Sequence, residues 1–291
     1  MVGNTPIVYF GHHKGSHIYI KLEGYNPTGS LKDRSAVAIL KDFKDKGELV
    51  GRTIIDASSG SFGCAIAYFG KLMQAPVIVV SNAKLTSMNK TFIEMTGAEL
   101  ILHGAVTKES NDYVKNLVSE NPEKYAFCDQ LNNWSSPKAH YEGTGPEILR
   151  DMPDVDAVVA SMGSGATLWG VGKYLKENKP GITICASVAK PGTTIAGTFK
   201  EDKDYISPFI SDIREKGYVD HYSAISAEEA FENARKIFRE KGFFVGPQTG
   251  GVYQAAINLI EEGKISGNIV LVSGDTGWKN LEKLSEEKTS Q

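Results

Sequence analysis

Seven short apolar runs punctuate the chain: IYIKLE (18–23), TIIDAS (53–58), VIVVSN (77–82), ELILHG (99–104), AVVASMG (157–163), ITICASVA (182–189) and NIVLVSG (268–274). They are rich in Ile and Val and mostly lack polar alternation, which predicts strands covered on both faces. Between them, 33–46 and 227–241 carry apolar residues at helical spacing among charges, and each stops at a glycine, Gly47 and Gly242. Strands alternating with amphipathic helices predict βαβ units on parallel sheets, an α/β protein. Seven or more strands fit two open, twisted α/β domains better than one. The polar stretch DQLNNWSSPKAH (129–140) has no strand periodicity and is placed as the crossover between the two series. No internal repeat is present, and the polar tail 285–291 reads as frayed.

Composition narrows the class without naming a function. The 291 residues are 41% hydrophobic and 23% charged, the balance of an ordinary globular protein with a sizeable core. A net charge of −3 offers no broad positive field, so nucleic acid and anionic membrane surfaces are not expected partners. No apolar run reaches the roughly 20 residues that span a bilayer, and the start, MVGNTPIVYFGHHKG, lacks a leader pattern; the expectation is a cytoplasmic protein. Cys64, Cys128 and Cys185 are odd in number and lack CxxC spacing, so they read as small buried residues rather than a disulfide framework or zinc site. His12, His13 and His17 have no carboxylate or cysteine at ligand spacing; a solvated loop is expected there and no metal.

Five turns could carry chemistry. In KLEGYNPTGSLKDRSA (21–36), Lys32 follows a Pro-Thr-Gly-Ser turn and opens a helix. A helix N-terminus and burial both disfavour the charged ammonium, and an imine-forming lysine must be neutral. In DASSGSFGCAIAYFGKL (56–72), a strand, a Ser/Gly turn and a helix aim backbone N–H groups and the hydroxyls of Ser58, Ser59 and Ser61 at one place, suited to an anion. An ordinary capped helix is the competing reading. In VVASMGSGATLWGVGKYL (158–175), Gly163 and Gly165 let the backbone curl, while Ser164 and Thr167 add hydroxyls, the form of a phosphate cup. It lacks the Lys-Ser/Thr ending of a nucleoside-triphosphate loop. GPQTGG (246–251) and SGDTGWKNL (273–281) are further Gly/Thr turns where strands end.

Taken in order, these turns resemble the cysteine synthase and cystathionine β-synthase family, fold type II of the pyridoxal 5′-phosphate enzymes, related to the tryptophan synthase β chain. The resemblance runs from GNTPIV (3–8) through NPTGSLKDR, SSGSFG, QLNNWSSPKAHYEGTGPEI, GSGAT and GPQTGG to SGDTGWKNL, essentially the whole chain. It implies a large pyridoxal-phosphate-binding domain (1–35 and 136–291), a small substrate-loop domain (36–135), the cofactor in the cleft between them, and a homodimer. It implies that Lys32 holds the cofactor as a Schiff base and later moves the substrate's α-proton. Gly163, Ser164, Gly165, Ala166 and Thr167 match the loop that holds the phosphate. Ser58, Ser59, Gly60, Ser61 and Phe62 match the loop that grips the substrate carboxylate, and Gln130 matches a glutamine that touches it too. Thr276 matches the hydroxyl at the pyridine nitrogen, with Ser273 as the alternative. Two positions depart from the family's Ser-Gly-Asn-Thr-Gly: Ser61 replaces the asparagine that reaches the cofactor's ring hydroxyl, and Phe62 replaces the threonine, either to set substrate choice in the loop or, as a phenylalanine two residues into a helix, to point into the helix–sheet core.

The activity so implied is β-replacement on an activated serine, of the O-acetylserine or O-phosphoserine type, through an aminoacrylate, with a small nucleophile such as sulfide. A β-eliminating lyase, either a cysteine desulfhydrase or a serine/threonine dehydratase, would use the same loops. A non-catalytic regulatory protein on this fold is the third possibility, supported by the missing asparagine and opposed by Lys32 and the complete phosphate loop.

Overall fold

The structure, a computed structural model, describes residues 1–199 and 206–285. Of the polar tail, 286–291 lie outside the described residues, while Ser285 closes a short helix. The chain's contacts divide it into two units, the first comprising Met1, Gly3–Leu31 and Pro137–Gln291, the second Val2 and Lys32–Ser136. The passage into the second unit falls at Leu31 rather than at residue 35, because Lys32 opens a helix whose Ala36, Ile39 and Leu40 belong to the second unit's core.

The first unit begins with an antiparallel hairpin, β1 (Ile7–His13) and β2 (Ser16–Leu22). The second unit follows as α1 (Lys32–Asp45), β3 (Thr53–Ala57), α2 (Ser61–Leu72), β4 (Val77–Ser81), α3 (Ser87–Met95), β5 (Glu99–Leu102), α4 (Thr107–Glu120) and β6 (Tyr125–Phe127). A continuous helical stretch then consists of α5 (Ser135–Ala139), a π-helical turn (His140–Thr144) and α6 (Gly145–Asp151). The first unit resumes with β7 (Ala157–Ser161), α7 (Ala166–Asn178), β8 (Thr183–Ala189), α8 (Pro208–Lys216), β9 (His221–Ile225), α9 (Ala227–Lys241), α10 (Pro247–Glu261), β10 (Asn268–Ser273) and α11 (Leu281–Ser285).

The first unit's sheet has the order β1-β2-β10-β7-β8-β9, parallel except for the hairpin; the second unit's sheet, β5-β4-β3-β6, is parallel throughout. Crossover helices cover both faces of each sheet, so the central strands are almost entirely buried, as Ile54, Ile55, Val79 and Val80 are. β1, β6 and β9, the strands beyond the seven expected, all lie at sheet edges, where one flank needs no apolar partner. The histidines expected in a solvated loop are instead paired in the hairpin: His12 faces His17, and His13 bonds Glu261 from α10. That polar ladder lacks the apolar signal of a strand, and pairing with buried β2 organises it. Among the described residues no helix is long and apolar enough to cross a membrane.

One buried polar network fixes the turn preceding Lys32. Lys21, with no exposed side-chain surface, pairs with Glu147 at 2.8 Å and donates to the Thr5 carbonyl at 2.9 Å. Glu23, equally buried, accepts from the Thr5 hydroxyl at 2.7 Å and from the Asn26 amide at 2.9 Å, and Asn26 in turn accepts from the Gly3 N–H at 2.9 Å. GNTP, KLE, NPTGS and TGPE are thereby joined through charge. A buried charge without these partners would cost several kcal/mol.

Candidate active site

In a parallel sheet the C-terminal strand ends carry the loops and helix N-termini that can receive a ligand. In the second unit, β3 delivers the Ser58–Ser61 turn, β4 delivers Asn82, and β6 delivers Gln130. The turn shapes itself: the Ser58 hydroxyl accepts from the N–H groups of Gly63 at 3.0 Å and Gly60 at 3.3 Å. Ser59 lies 3.3 Å from the Thr107 hydroxyl at the start of α4, which also accepts from the Asn82 amide at 3.2 Å. No side chain caps α2 from Gly60, which leaves the helix start open to an outside acceptor. Gln130 has its side-chain oxygen enclosed without a hydrogen-bond partner. Its N–H donates at 3.2 Å to the carboxylate of Asp56, a buried residue one position before the end of β3.

Lys32 begins α1, half-buried. Burial among protein atoms lowers its ammonium from 10.5 to about 8, so a substantial neutral fraction exists near physiological pH. Desolvation is the cause; the helix-end effect expected from the sequence is not needed for it.

The first unit carries the glycine loop. Gly165 sits in the left-handed region at φ +92° immediately before α7, again with no side-chain cap. A Cβ there would lie 2.8 Å from Ile210 Cγ1 and 3.2 Å from the Ile210 nitrogen, so glycine is required by both conformation and space. The Ser207 hydroxyl donates to the Ser164 carbonyl and ties the loop to the start of α8. Thr167 lies 3.3 Å from Nε2 of buried His140, whose Nδ1 lies 2.9 Å from the Thr144 hydroxyl in the π-helical turn.

At the end of β10, Ser273 is 1% exposed and its hydroxyl lies 3.0 Å from that of Thr249. Thr249 donates at 2.6 Å to Asp275, which also accepts the N–H groups of Gln248 and Thr249 at the start of α10. Thr276 is half-buried and rests against the 24–29 turn; a Cβ on Gly24 would meet its methyl at 2.4 Å.

These loops have close counterparts. The model of a family described as "Pyridoxal-phosphate dependent enzyme" matches residues 1–275. The chain belongs to this family. It is 34% identical to a cysteine synthase of Aquifex aeolicus, over 97% of this chain and 89% of that protein. It is also 34% identical to cysteine synthase B of Pseudomonas aeruginosa, over 90% and 88%. Among solved structures, it superposes on a cysteine synthase of Entamoeba histolytica with a TM-score of 0.87 at 29% identity, covering 100% of this chain and 90% of that one. A hydrogen sulfide-producing enzyme of Fusobacterium nucleatum gives 0.85 at 28% identity, covering 96% and 95%.

The residues present fit the family's cofactor. Lys32 has the lowered basicity that imine formation needs, Gly165 opens an uncapped helix N-terminus suited to a phosphate, and Gln130 has an orphaned polar group. Two expectations change. Phe62 does not face a ligand: it is 2% exposed, with its ring in the core beside residues such as Ile39, Ile66 and Ile93. The second residue of α2 points to the sheet, and its backbone N–H alone stays at the helix start. Ser273 is likewise engaged inward with Thr249, which leaves Thr276 as the more accessible hydroxyl. Asp56, Asn82, Thr107, His140, Thr249 and Asp275 form part of these sites without having been singled out by motif. For Asp56 and Asn82 the signal in the sequence was a polar residue closing an apolar strand run, in TIIDAS and VIVVSN; the other four gave no such signal.

Proposed function

We propose that this enzyme carries out β-replacement on an activated serine, O-acetylserine or O-phosphoserine in type, a reading supported by its similarity to proteins named cysteine synthase. The observation that carries the reading is Lys32: a lysine brought to about 8 by burial, at a helix start, within a chain similar to cysteine synthases over nearly its whole length. Bound pyridoxal phosphate would supply the electron sink for the charge left when the substrate's α-proton departs. Lys32 anchors the cofactor and then takes that proton on Nζ. Gly163, Ser164, Gly165, Ala166 and Thr167 hold the phosphate through N–H groups and hydroxyls. Ser59, Gly60 and Ser61, with Gln130, bind the substrate carboxylate; Ser58 shapes that turn. Thr276 would supply a neutral hydroxyl to the cofactor's pyridine nitrogen. A neutral hydroxyl there, unlike a carboxylate, does not force protonation of the ring, which favours loss of a β-substituent over transamination.

The same reading takes 1–31 and 137–291 as the cofactor-binding domain and 32–136 as the substrate-loop domain of a cytoplasmic homodimer. β-Elimination is the second reading, favoured by the similarity to the sulfide-producing enzyme of Fusobacterium nucleatum. Cysteine formation from O-acetylserine and sulfide, assayed beside sulfide release from cysteine, separates the two. Faster release than formation would replace the first reading with the second, and neither activity with any of O-acetylserine, O-phosphoserine, serine or cysteine would leave the regulatory alternative.

A further inference from the structure

Asp56 stands where a parallel α/β sheet ordinarily has Val or Ile. It is 3% exposed on β3, a strand with neighbours on both sides, beside Val79 on β4. Among the described residues, the charged group that acts on it is another acid, Asp129. Burying an acid there opposes folding, so its contacts must account for it. One carboxylate oxygen accepts the Ala57 N–H at 2.6 Å, at the root of the Ser58–Ser61 turn; the other accepts the Gln130 N–H at 3.2 Å, across the sheet on the turn after β6. That second turn is itself constrained: Asp129 has φ +44°, uncommon outside glycine, and its carbonyl accepts the N–H groups of Asn132 and Asn133. The tightly held backbone ends in a side-chain oxygen with no partner. A side-chain amide whose oxygen is enclosed without a partner at a strand end is suited to a ligand contact; turned over, it offers N–H donors to an anion.

We propose that Asp56 is a positioning residue that couples the Ser58–Ser61 turn to Gln130, fixing the spacing of the two groups that receive the substrate carboxylate. This rests on the assignment of that turn and of Gln130 to the substrate. The carboxylate form holds both N–H groups best, since protonation converts one oxygen into a donor. Burial raises this carboxyl to about 7, with Asp129 adding to the rise. Asp129 and Cys128, whose thiol is itself pushed well up, face it from the β6 turn, whereas β4 and α2 bring apolar groups such as Val79 and Phe62 to this side of the sheet. Substrate binding therefore weakens as pH falls through about 7.

The test uses the holoenzyme and L-alanine, an amino acid with no β-leaving group, with the dissociation constant read from the cofactor's absorbance between pH 6 and 9. The wild type is expected to lose affinity below about 7. Asp56→Asn should bind L-alanine about tenfold more weakly above that pH, the effect of a lost charge-assisted hydrogen bond, with the acidic limb gone and pyridoxal phosphate affinity unchanged. In a Gln130→Ala background the Asp56→Asn change should have no further effect, because the two act through one contact. If Gln130→Ala leaves L-alanine binding at the wild-type level, the assignment of Gln130 fails. If Gln130→Ala weakens binding but Asp56→Asn does not, or the two effects add in full, the coupling alone is overturned. Should Asp56→Asn not fold, the limb decides: its absence in the wild type, or its persistence in Gln130→Ala, overturns the proposal.

Discussion

Replacing Gly165 by alanine separates the shape of the glycine loop from its task. An L-residue held at the left-handed φ of +92° is strained by roughly 1–2 kcal/mol. The new methyl would also stand 2.8 Å from Ile210 Cγ1 and 3.2 Å from the Ile210 nitrogen, and forced overpacking of that kind costs about 1–3 kcal/mol. Together the variant carries about 2–5 kcal/mol of strain. If the loop keeps its shape, all of it appears as lost stability in urea unfolding of the apoprotein. If the loop relaxes, the N–H groups of Ala166 and Thr167 swing away, and the cost moves into cofactor affinity at about tenfold per 1.4 kcal/mol. Urea titration and pyridoxal phosphate titration of the same preparations read both shares. Wild-type values in both would refute the strain estimate. The bulkier Gly165→Val cannot leave the loop in place against Ile210, and wild-type pyridoxal phosphate affinity in that variant would remove this loop from the phosphate site.

Lys32→Ala should abolish turnover and covalent retention of the cofactor while the fold persists by circular dichroism; borohydride fixation of the wild-type cofactor to any other lysine would overturn the assignment. Lys21→Met, which strands Glu147 in the interior, should cost about 3–5 kcal/mol by denaturant unfolding, and adding Glu147→Leu should recover much of it; equal stability of single variant and wild type would contradict the buried pairing. Phe62→Ala should destabilise by about 3–5 kcal/mol yet leave the ratio of rates between O-acetylserine and cysteine unchanged, as befits a core residue. A changed ratio would return Phe62 to the ligand surface.

What the sequence disclosed and what it concealed follow a physical line. Central strands such as β3, β4 and β10 are legible because burial on two faces demands unbroken apolar runs, and α9 because Ser226 and Glu229 form a capping box and Gly242 ends it at φ +74°. β1, β6 and β9 are hidden because an edge strand borrows its order from a neighbour. The loops around Lys32, Ser61 and Gly165 show themselves through Gly, Ser and Thr at strand-to-helix turns. The direction of Phe62, core or ligand, stayed open because a loop motif does not record which way the first helical side chains turn; the covering sheet decides that. His140 and Thr249 were concealed because their side-chain contacts reach residues distant in the chain, and such contacts leave no local spacing to read.

The insertion of one unit within the other also bears on how the protein is made. The second unit is continuous from Lys32 to Ser136 apart from the isolated Val2, and all four strands of its sheet leave the ribosome early. The first unit cannot close its sheet until β10 has been made, since β2 has no neighbour on its inner flank until Asn268 comes to lie beside His17. Loop closure over such a span is slow, and an unpaired strand edge invites pairing with other chains. From the synthesis of β2 until that of β10, the hairpin and the turn that leads to Lys32 wait half-covered. Chaperone dependence and misassembly should therefore be greatest in nascent chains arrested just short of β10.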